Sequence, residues 1–324
     1  MNCQVIFISE RDVKDLLTLQ DAIHLTERAY AELNASQSVI FPAVREEIRE
    51  HRGIFGIKSS YLKTKKYIGL KAGGFWLGNA VKGKMNHQST MMLFDAESGE
   101  PLCALSANYL TAVRTAAAGV VAAKRLARKD SKIVGIIGTG AQARSQLEGL
   151  IASFSVEKVL LYGKSEGKAE QMAKEIIEKK GYSAAICPSP RELAGQSDII
   201  VTTTPSYTPV LHTSWVKDGT HINAMGSDTR GKRELLIDRK PDKMVCDLWV
   251  QSAAMGEFQH GIAHEELYAE IGEIVNNKKK GRENEREITL FDSTGLSVQD
   301  LEAASFVYES LKSKINSINE LQEV

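Results

Sequence analysis

The sequence predicts an α/β protein: a doubly wound parallel sheet accompanied by a second, α+β domain. Three observations carry this. Strand-like and helix-like segments alternate from Ser131 to Cys246, the pattern of a parallel sheet. Between Val39 and Ala107, short apolar runs split by Gly, Asn and Lys read instead as strands and hairpins. The length, 324 residues, suits two domains at roughly 100–200 residues each.

Taken in order, Val5 to Ser9 is a short apolar run. From Val13 to Asn34, Leu16, Leu19, Ile23, Ala29, Tyr30 and Leu33 recur at helical spacing, which predicts a helix with one buried face. Strands are expected at Gly53–Ser59, Tyr67–Ala72, Ser89–Phe94 and Pro101–Ser106, with a turn at Asp95–Gly99. Leu110 to Arg128 is helical again. Its uncharged stretch, Thr115 to Ala123, is rich in Ala and Gly, so tight packing is expected there. The parallel sheet is expected to use Lys132–Gly138, Lys158–Tyr162, Ala184–Cys187, Asp198–Thr203, His221–Met225 and Lys243–Cys246. A last helix starts at Ser297, with Leu301, Ala304, Val307, Tyr308 and Leu311 on one side. Lys278–Arg286 is charge-rich and apolar-free and reads as a solvated loop. There is no internal repeat.

Composition narrows the function. Lys plus Arg and Asp plus Glu are both 41, a net charge of zero. This argues against nucleic acid as a partner, since such binders show a basic surplus or stripe. No stretch approaches the roughly 18 apolar residues of a membrane span. The N-terminus, MNCQVIFISERD, lacks the basic and apolar regions of a secretory leader. Cys3, Cys103, Cys187 and Cys246 are scattered, which fits a reducing compartment rather than a disulfide framework. A soluble, cytoplasmic protein is expected.

One motif dominates. Ile133-Val-Gly-Ile-Ile-Gly138-Thr-Gly140-Ala-Gln-Ala143 is an apolar strand, then GxGxxA, then a helical stretch. Gly138 permits a tight turn, Gly140 lets backbone approach a pyrophosphate, and Ala143 lets the helix lie close to the strand. Free N–H groups at the helix start favour phosphate. A second strand follows about twenty residues later, as a Rossmann-type dinucleotide site requires. At its end, where NAD sites usually carry Asp or Glu on the ribose 2′-OH, the chain has Gly163-Lys164-Ser165. A cation and a hydroxyl suit a 2′-phosphate, so the expected cofactor is NADP or NAD, with NADP favoured.

A reacting site needs cations for a substrate carboxylate and an acid/base group. Arg45, Lys71 and Arg114 are the candidate cations. Lys71 sits in an apolar, Gly-rich strand context, as a site residue or at a surface strand end. Arg114 and Thr115 open the small-residue helix, where side chain and free N–H groups can meet an anion. Asp228 follows the fifth strand, outside whose carboxyl end ligands bind in such sheets. It is either an acid/base or a turn former. His87, in Asn86-His-Gln-Ser-Thr90, is a site residue or a turn histidine. His260 and His264 are four apart, but there is no HExxH pattern, and no metal is expected. No GxSxG elbow or Cys/His nucleophile signature is present.

Several of these segments together resemble the ornithine cyclodeaminase/mu-crystallin family: VREE around Arg45, LKAGG around Lys71, RTAAAG from Arg114, GIIGTGAQA, DIIVTTTPS, HINAMGSDTRGKREL and LFDSTGLSVQD. The resemblance spans nearly the whole chain. It implies a Rossmann domain, residues 116–299, inserted into a substrate-binding and dimerisation domain made of 1–115 and 300–324. It implies that Arg45, Lys71 and Arg114 hold the substrate carboxylate and that Asp228 is the acid/base. It places Thr90, Thr115, Ala141, Gln142, Thr203, Met225, Lys232 and Ser293 around the dinucleotide, beside Arg114, Gly138, Gly140, Lys164 and Ser165. It also implies a homodimer.

Within the family, KAGGFW, NHQSTMMLFD and GEFQHGI are most similar to the iminosuccinate reductase branch, and Asp218 to Asp300 to archaeal-type alanine dehydrogenase. Gly163 departs from the cyclodeaminase pattern, which has Asp there. The expected activity is reduction of a 2-imino acid to an amino acid, with iminosuccinate to aspartate the preferred pair. Lys71 and Asp228 are the expected catalytic groups, with Arg45, Lys71, Arg114 and His87 binding the substrate. Alanine dehydrogenase and ornithine cyclodeaminase are the enzymatic alternatives. A non-catalytic, mu-crystallin-like binding protein is the alternative of another class.

Overall fold

The structure, a computed structural model, describes residues 5–322. Cys3 and the first part of the stretch read for a leader lie outside the described residues. The chain divides into two compact units, Met1–Arg114 with Leu296–Val324, and Thr115–Gly295. Elements are numbered in chain order across both.

The first unit begins with strand β1 (Ile6–Ile8) and helices α1 (Glu10–Leu16) and α2 (Leu19–Asn34). One helix was expected from Val13 to Asn34, and two are found. Thr18 and Asp21 form a reciprocal capping box, giving the backbone a fresh helix start. Strands β2 (Ser38–Ile40), β3 (Val44–Ile48), β4 (Gly53–Leu62), β5 (Tyr67–Trp76), β6 (His87–Asp95) and β7 (Pro101–Ser106) follow. β1, β2 and β3 are strands that the sequence reading did not mark as such, β1 having been read only as a short apolar run. They are short, and β3 is almost wholly polar after Val44. The sheet order is β1-β7-β6-β5-β4-β2, with β3 also paired to β4. All these pairs are antiparallel except β1–β7. At the expected turn after β6, the Asp95 carboxylate accepts the Glu97 and Ser98 N–H groups, and Gly99 has φ 75°.

The two faces of this sheet differ. On one, Ser60, Leu62, Gly69, Lys71, Ser89, Met91, Leu93, Cys103 and Leu105 are buried. On the other, Ile57, Tyr61, Ile68, Leu70, Ala72, Met92 and Ala104 are half-exposed and Phe7 is 69% exposed. This alternation is the period-two signature of a strand with one covered face. The cover includes the C-terminal helix, whose Leu301 methyl stands where a side chain at Gly69 would go.

The second unit carries an eight-stranded sheet. Helix α3 (Asn108–Leu126) leads into it, and Ala116, Ala117, Ala118, Val120, Ala122 and Ala123 are fully buried. Then come β8 (Ile133–Ile137), α4 (Ala141–Ile151), β9 (Lys158–Tyr162), α5 (Glu166–Lys180), β10 (Ser183–Ile186), α6 (Pro190–Gln196) and β11 (Ile199–Thr202). After these are β12 (Leu211–His212), β13 (His221–Ala224), β14 (Leu235–Leu236), β15 (Lys243–Cys246), α7 (Trp249–Met255), β16 (Ala269–Glu270), α8 (Ile271–Val275) and β17 (Thr289–Asp292). Helix α9 (Ser297–Gln322) closes the chain.

The main sheet order is β10-β9-β8-β11-β13-β17-β15-β16, and every pair is parallel. The order reverses on either side of β8, so the switch point lies at the carboxyl ends of β8 and β11. This is a Rossmann-type sheet. Its core includes Ile137, Leu160, Leu193, Ile200, Ile222, Met244 and Leu290. β17 lies between β13 and β15, yet was not anticipated as a strand. All four of its residues are buried, so no alternation marks it, and a charged loop precedes it. That loop is exposed at Lys278 to Lys280, as expected. Arg282 departs from the solvated reading, since it donates to the carbonyls of Leu126 and Glu287.

Asp198 ties the sheet's amino edge together. Its buried carboxylate accepts the Lys132 and Ile133 N–H groups, Arg128 Nη2 at 2.7 Å and Lys217 Nζ at 2.9 Å. Burial pushes the carboxyl up, but Lys217 and the two backbone donors outweigh it and hold the group below its ordinary range. A depressed carboxyl stabilises the fold above its unfolded value and loses that contribution as pH falls through the folded one. Asp198→Ala is therefore expected to cost about 2–4 kcal/mol in urea melts at pH 7, because charge-assisted bonds are lost and buried donors are left unpaired. The difference from wild type should shrink below pH 4. An equal deficit at pH 3 would contradict the charge assignment.

Candidate functional site

In the first unit the site forms on the covered face of the sheet. Lys71 on β5 is directly opposite Lys58 on β4, and Arg45 on β3 is opposite Gly56. Cross-strand partners share a face, as do residues two apart on a strand. Arg45, Lys58, Lys71 and Ser89 therefore stand on one face. Gly73, opposite both Gly56 and Ser89, supplies no side chain there. It cannot: a Cβ at Gly73 would lie 2.2 Å from the Gln88 carbonyl oxygen.

Lys71 is buried and donates from Nζ to Thr111 Oγ1 at 3.1 Å and to Asp300 Oδ1 at 2.8 Å. Arg114, also buried, donates from Nε to the same oxygen at 2.8 Å. Three elements, β5, α3 and α9, thus converge on one carboxylate. Burial pulls Lys71 down to about 7; Asp300 opposes this, and Arg114 and Lys58 add to it. For Asp300, burial raises the carboxyl, but the charges of Arg114 and Lys71 outweigh it and hold the group low. The cluster can bind a carboxylate, and its lysine changes charge near neutrality.

In the second unit the glycine turn has the form the motif demands. Gly138 has φ 121°, and a Cβ there would lie 2.6 Å from Thr203 Oγ1. Nothing stands within 4 Å of the corresponding point at Gly140, the N-cap of α4. Ala143 is fully buried. Arg144 braces the turn, donating from Nη1 to the Thr139 carbonyl and from Nε to Glu175. A tight glycine turn, an open helix start and a small buried residue behind it are what a dinucleotide pyrophosphate needs. Gly163, Lys164 and Ser165 follow β9, with Lys164 and Ser165 exposed. A side chain at 163 would meet the Thr139 methyl at 2.7 Å.

Two buried carboxylates staple the loops at the carboxyl edge. Glu234 accepts from Thr202 Oγ1, Thr204 Oγ1 and the Gly226 N–H, which fixes the loops carrying Thr203 and Met225. Burial lifts Glu234 to about 7 against those bonds. Asp247 accepts from the Thr294 and Gly295 N–H groups and fixes the loop carrying Ser293. Asp228, half-buried, pairs with Lys232 Nζ at 2.7 Å and accepts from Thr229 Oγ1.

Across residues 4–315 the chain matches the family described as Ornithine cyclodeaminase/mu-crystallin family. The chain belongs to the ornithine cyclodeaminase/mu-crystallin family. The iminosuccinate reductase of Paracoccus denitrificans is 35% identical over 323 residues, covering 96% of this chain and 98% of that protein. A solved archaeal alanine dehydrogenase, a dimer with bound NAD, is 37% identical with a TM-score of 0.89, covering 96% of this chain and 97% of that one. The Thermococcus litoralis Δ1-pyrroline-2-carboxylate reductase, solved with NADH and L-proline, is 34% identical with a TM-score of 0.90, covering 96% and 98%.

This member of the cyclodeaminase/mu-crystallin family brings Lys71 and Arg114 together and puts Arg45 on the same sheet face. His87, opposite Phe75 and two residues from Ser89, is half-buried on that face as well. Thr90 is not on it. It pairs with Ala72 on the opposite, exposed face, because one step along a strand reverses the side chain. Ser89 faces inward, and its backbone N–H donates to Asn108 Oδ1 at 2.8 Å. Thr115 is buried in α3, one residue past Arg114. Ala141 and Gln142 form the first turn of α4, with Ala141 exposed. Lys232 bridges Asp228 and the Gly226 carbonyl. Among the described residues, no group of His, Cys, Asp and Glu could hold a metal. His260 and His264 each have other partners, the Lys232 carbonyl and the Trp249 ring.

Asp300, Lys58, Glu234 and Asp247 were missed by sequence reasoning. Asp300 ends the LFDSTGLSVQD motif, and its place in that motif was the signal available.

Lys71 is charged below about 7 and neutral above it. Binding of a small carboxylate, measured by calorimetry, should therefore weaken as pH rises from 6 to 8.5, by roughly tenfold for the loss of one charge-assisted bond. Lys71→Met should be weak throughout and flat with pH. A wild-type affinity that stays constant over this range would contradict the assignment.

Proposed function

We propose that this chain is an NAD(P)H-dependent reductase of 2-imino acids that works toward the amino acid. The observation that carries the reading is the pair of buried cations, Lys71 and Arg114, held on one carboxylate oxygen. It is supported by the cofactor cradle at Gly138 and Gly140 and by relatives named for reducing imino acids.

When bound, the nicotinamide cofactor supplies a hydride for the imine carbon. The chain does the rest. Lys71 and Arg114 bind the substrate carboxylate, and Arg45 adds a third cation from β3. Asp228, paired with Lys232, is the acid/base group that hands on, directly or through water, the proton the substrate nitrogen takes up as its carbon accepts the hydride. Fixing the substrate in one orientation removes much of the entropic barrier. Cations held in a buried place cost no reorganisation when charge moves. Of the two cofactors, NADP is favoured by Gly163-Lys164-Ser165, where an exposed lysine and hydroxyl follow β9 in place of the Asp or Glu usual in NAD sites. Iminosuccinate is the preferred substrate, because Arg45 and Lys58 offer further positive charge for a second carboxylate. Alanine dehydrogenase is a second reading, favoured by the 37% identical archaeal structure.

The open face of the first unit's sheet supports a homodimer. Leu70, Met92, Ala104 and Phe7 form a contiguous apolar strip there, and burying it against a second copy removes that area from water. A soluble protein of the cytoplasm is in keeping with this chemistry, and no helix among the described residues is long and apolar enough to cross a membrane.

A panel with both reduced cofactors, followed at the nicotinamide absorbance, tests the activity. Freshly generated iminosuccinate should be reduced with a higher kcat/KM than pyruvate plus ammonia, and NADPH should be preferred to NADH. Asp228→Asn should lower kcat by about 10²–10⁴, the usual worth of an acid/base group. No oxidation of either cofactor with any imino acid would refute the activity, and a clear NADH preference would refute the cofactor choice. Light scattering after size exclusion should give twice the chain's mass. Leu70→Asp should shift the protein toward monomer; a wild-type monomer would overturn the dimer.

A further inference from the structure

The buried carboxylate of Asp300 has a role that stability alone does not explain. It takes two buried cations, yet uses one oxygen for both. Oδ2 is buried and without a hydrogen-bond partner among the described residues. A pairing selected for strength would be a two-pronged contact between guanidinium and carboxylate. Here only Nε of Arg114 meets Asp300. The terminal nitrogens of Arg114 have no hydrogen-bond partner among the described residues, and neither is sealed from solvent. Lys71 spends two of its three N–H groups, on Thr111 and Asp300. Two positive charges and one negative leave the group with an excess positive charge and with donors to spare. That is the complement of one more carboxylate.

Burying such a trio is costly and is seldom a net gain over apolar side chains of the same volume. The groups come from β5, α3 and α9, so the carboxylate also sets the spacing between side chains on different elements.

We propose that Asp300 is a positioning residue for the substrate: its single shared oxygen fixes the Lys71 ammonium and the Arg114 guanidinium in the arrangement that receives a substrate carboxylate. This rests on the reading of Lys71 and Arg114 as substrate partners. The charged groups acting on Lys71 are Asp300 from α9, Arg114 from α3 and Lys58 from β4, with Arg45 of β3 on the same sheet face; Thr111 from α3 accepts from its Nζ, and Met91 of β6 is its cross-strand partner. Asp300 is the sole anion among them, so its removal leaves Lys71 among like charges.

The test compares the full-length wild type, Asp300→Asn and Asp300→Glu. Turnover of an imino acid with reduced cofactor is measured first across pH 6 to 9, and binding of oxaloacetate, a stable oxo analogue, is titrated separately. In Asp300→Asn, KM for the imino acid and Kd for oxaloacetate should each rise at least tenfold, while KM for the reduced cofactor stays within twofold. The alkaline limb of kcat/KM should move to lower pH. Asp300→Glu should keep the wild-type limb and recover part of the affinity. A merely structural role would lower the melting temperature and leave these four readouts in place, and that result overturns the proposal. If Asp300→Asn does not fold, Asp300→Glu decides: a displaced charge should raise KM severalfold, and an unchanged KM overturns the proposal. A wild type that binds oxaloacetate in an Asp300-dependent way but turns nothing over would refute the reductase reading and leave the positioning role standing.

Discussion

A buried carboxylate shared by two buried cations is the constraint on which the first unit's chemistry depends. Lys71 and Arg114 would repel each other without Asp300, and each would be driven toward water. With it, a strand, a helix and the C-terminal helix are held in one arrangement. The covering of the sheet's inner face follows from the same demand. Glycines at 69 and 73 make room where α9 and β6 press against β5. The charges have a covered floor, and the opposite face carries an apolar strip of Phe7, Leu70, Met92 and Ala104.

The second unit solves a different problem, the presentation of loops at the carboxyl edge of a parallel sheet. Strands end there in bare backbone, and loops without partners are mobile. Two buried acids, Glu234 and Asp247, supply those partners. Each collects backbone N–H groups from a neighbouring loop, so that Thr203, Met225 and Ser293 sit on fixed backbone. The glycine turn is braced by Arg144 in a similar way. Preorganisation in this sense places the cost of ordering the site in folding rather than in binding.

Much of this was legible in the sequence. The Rossmann-type sheet could be read from alternating elements and from GxGxxA, because a Cβ-free turn and a small buried residue leave few substitutes. Arg45, Lys71 and Arg114 could be picked out as cations in unusual contexts. What escaped was whatever depends on tertiary partners. β17 is buried on both sides and has no period to read. Asp300, Glu234 and Asp247 are acids in buried positions, and residue type alone makes an acid look like a surface group. Thr90, read from its motif as a cofactor contact, stands on the face of the sheet opposite Lys71, while Ser89 stands on the Lys71 face. Such one-residue reversals are set by strand register, which the pairing of β5 with β6 decides.

Transfer of a label tests the account most directly. The enzyme is given reduced nicotinamide cofactor carrying deuterium at C4 and freshly generated iminosuccinate, and the product is examined by mass spectrometry and NMR. With both C4 hydrogens of the cofactor replaced by deuterium, so that either face delivers the label, the account predicts aspartate with deuterium bound to C2 and none exchanged to solvent. Oxidation of the cofactor without deuterium at C2, or no labelled amino acid from any imino acid offered, would contradict it.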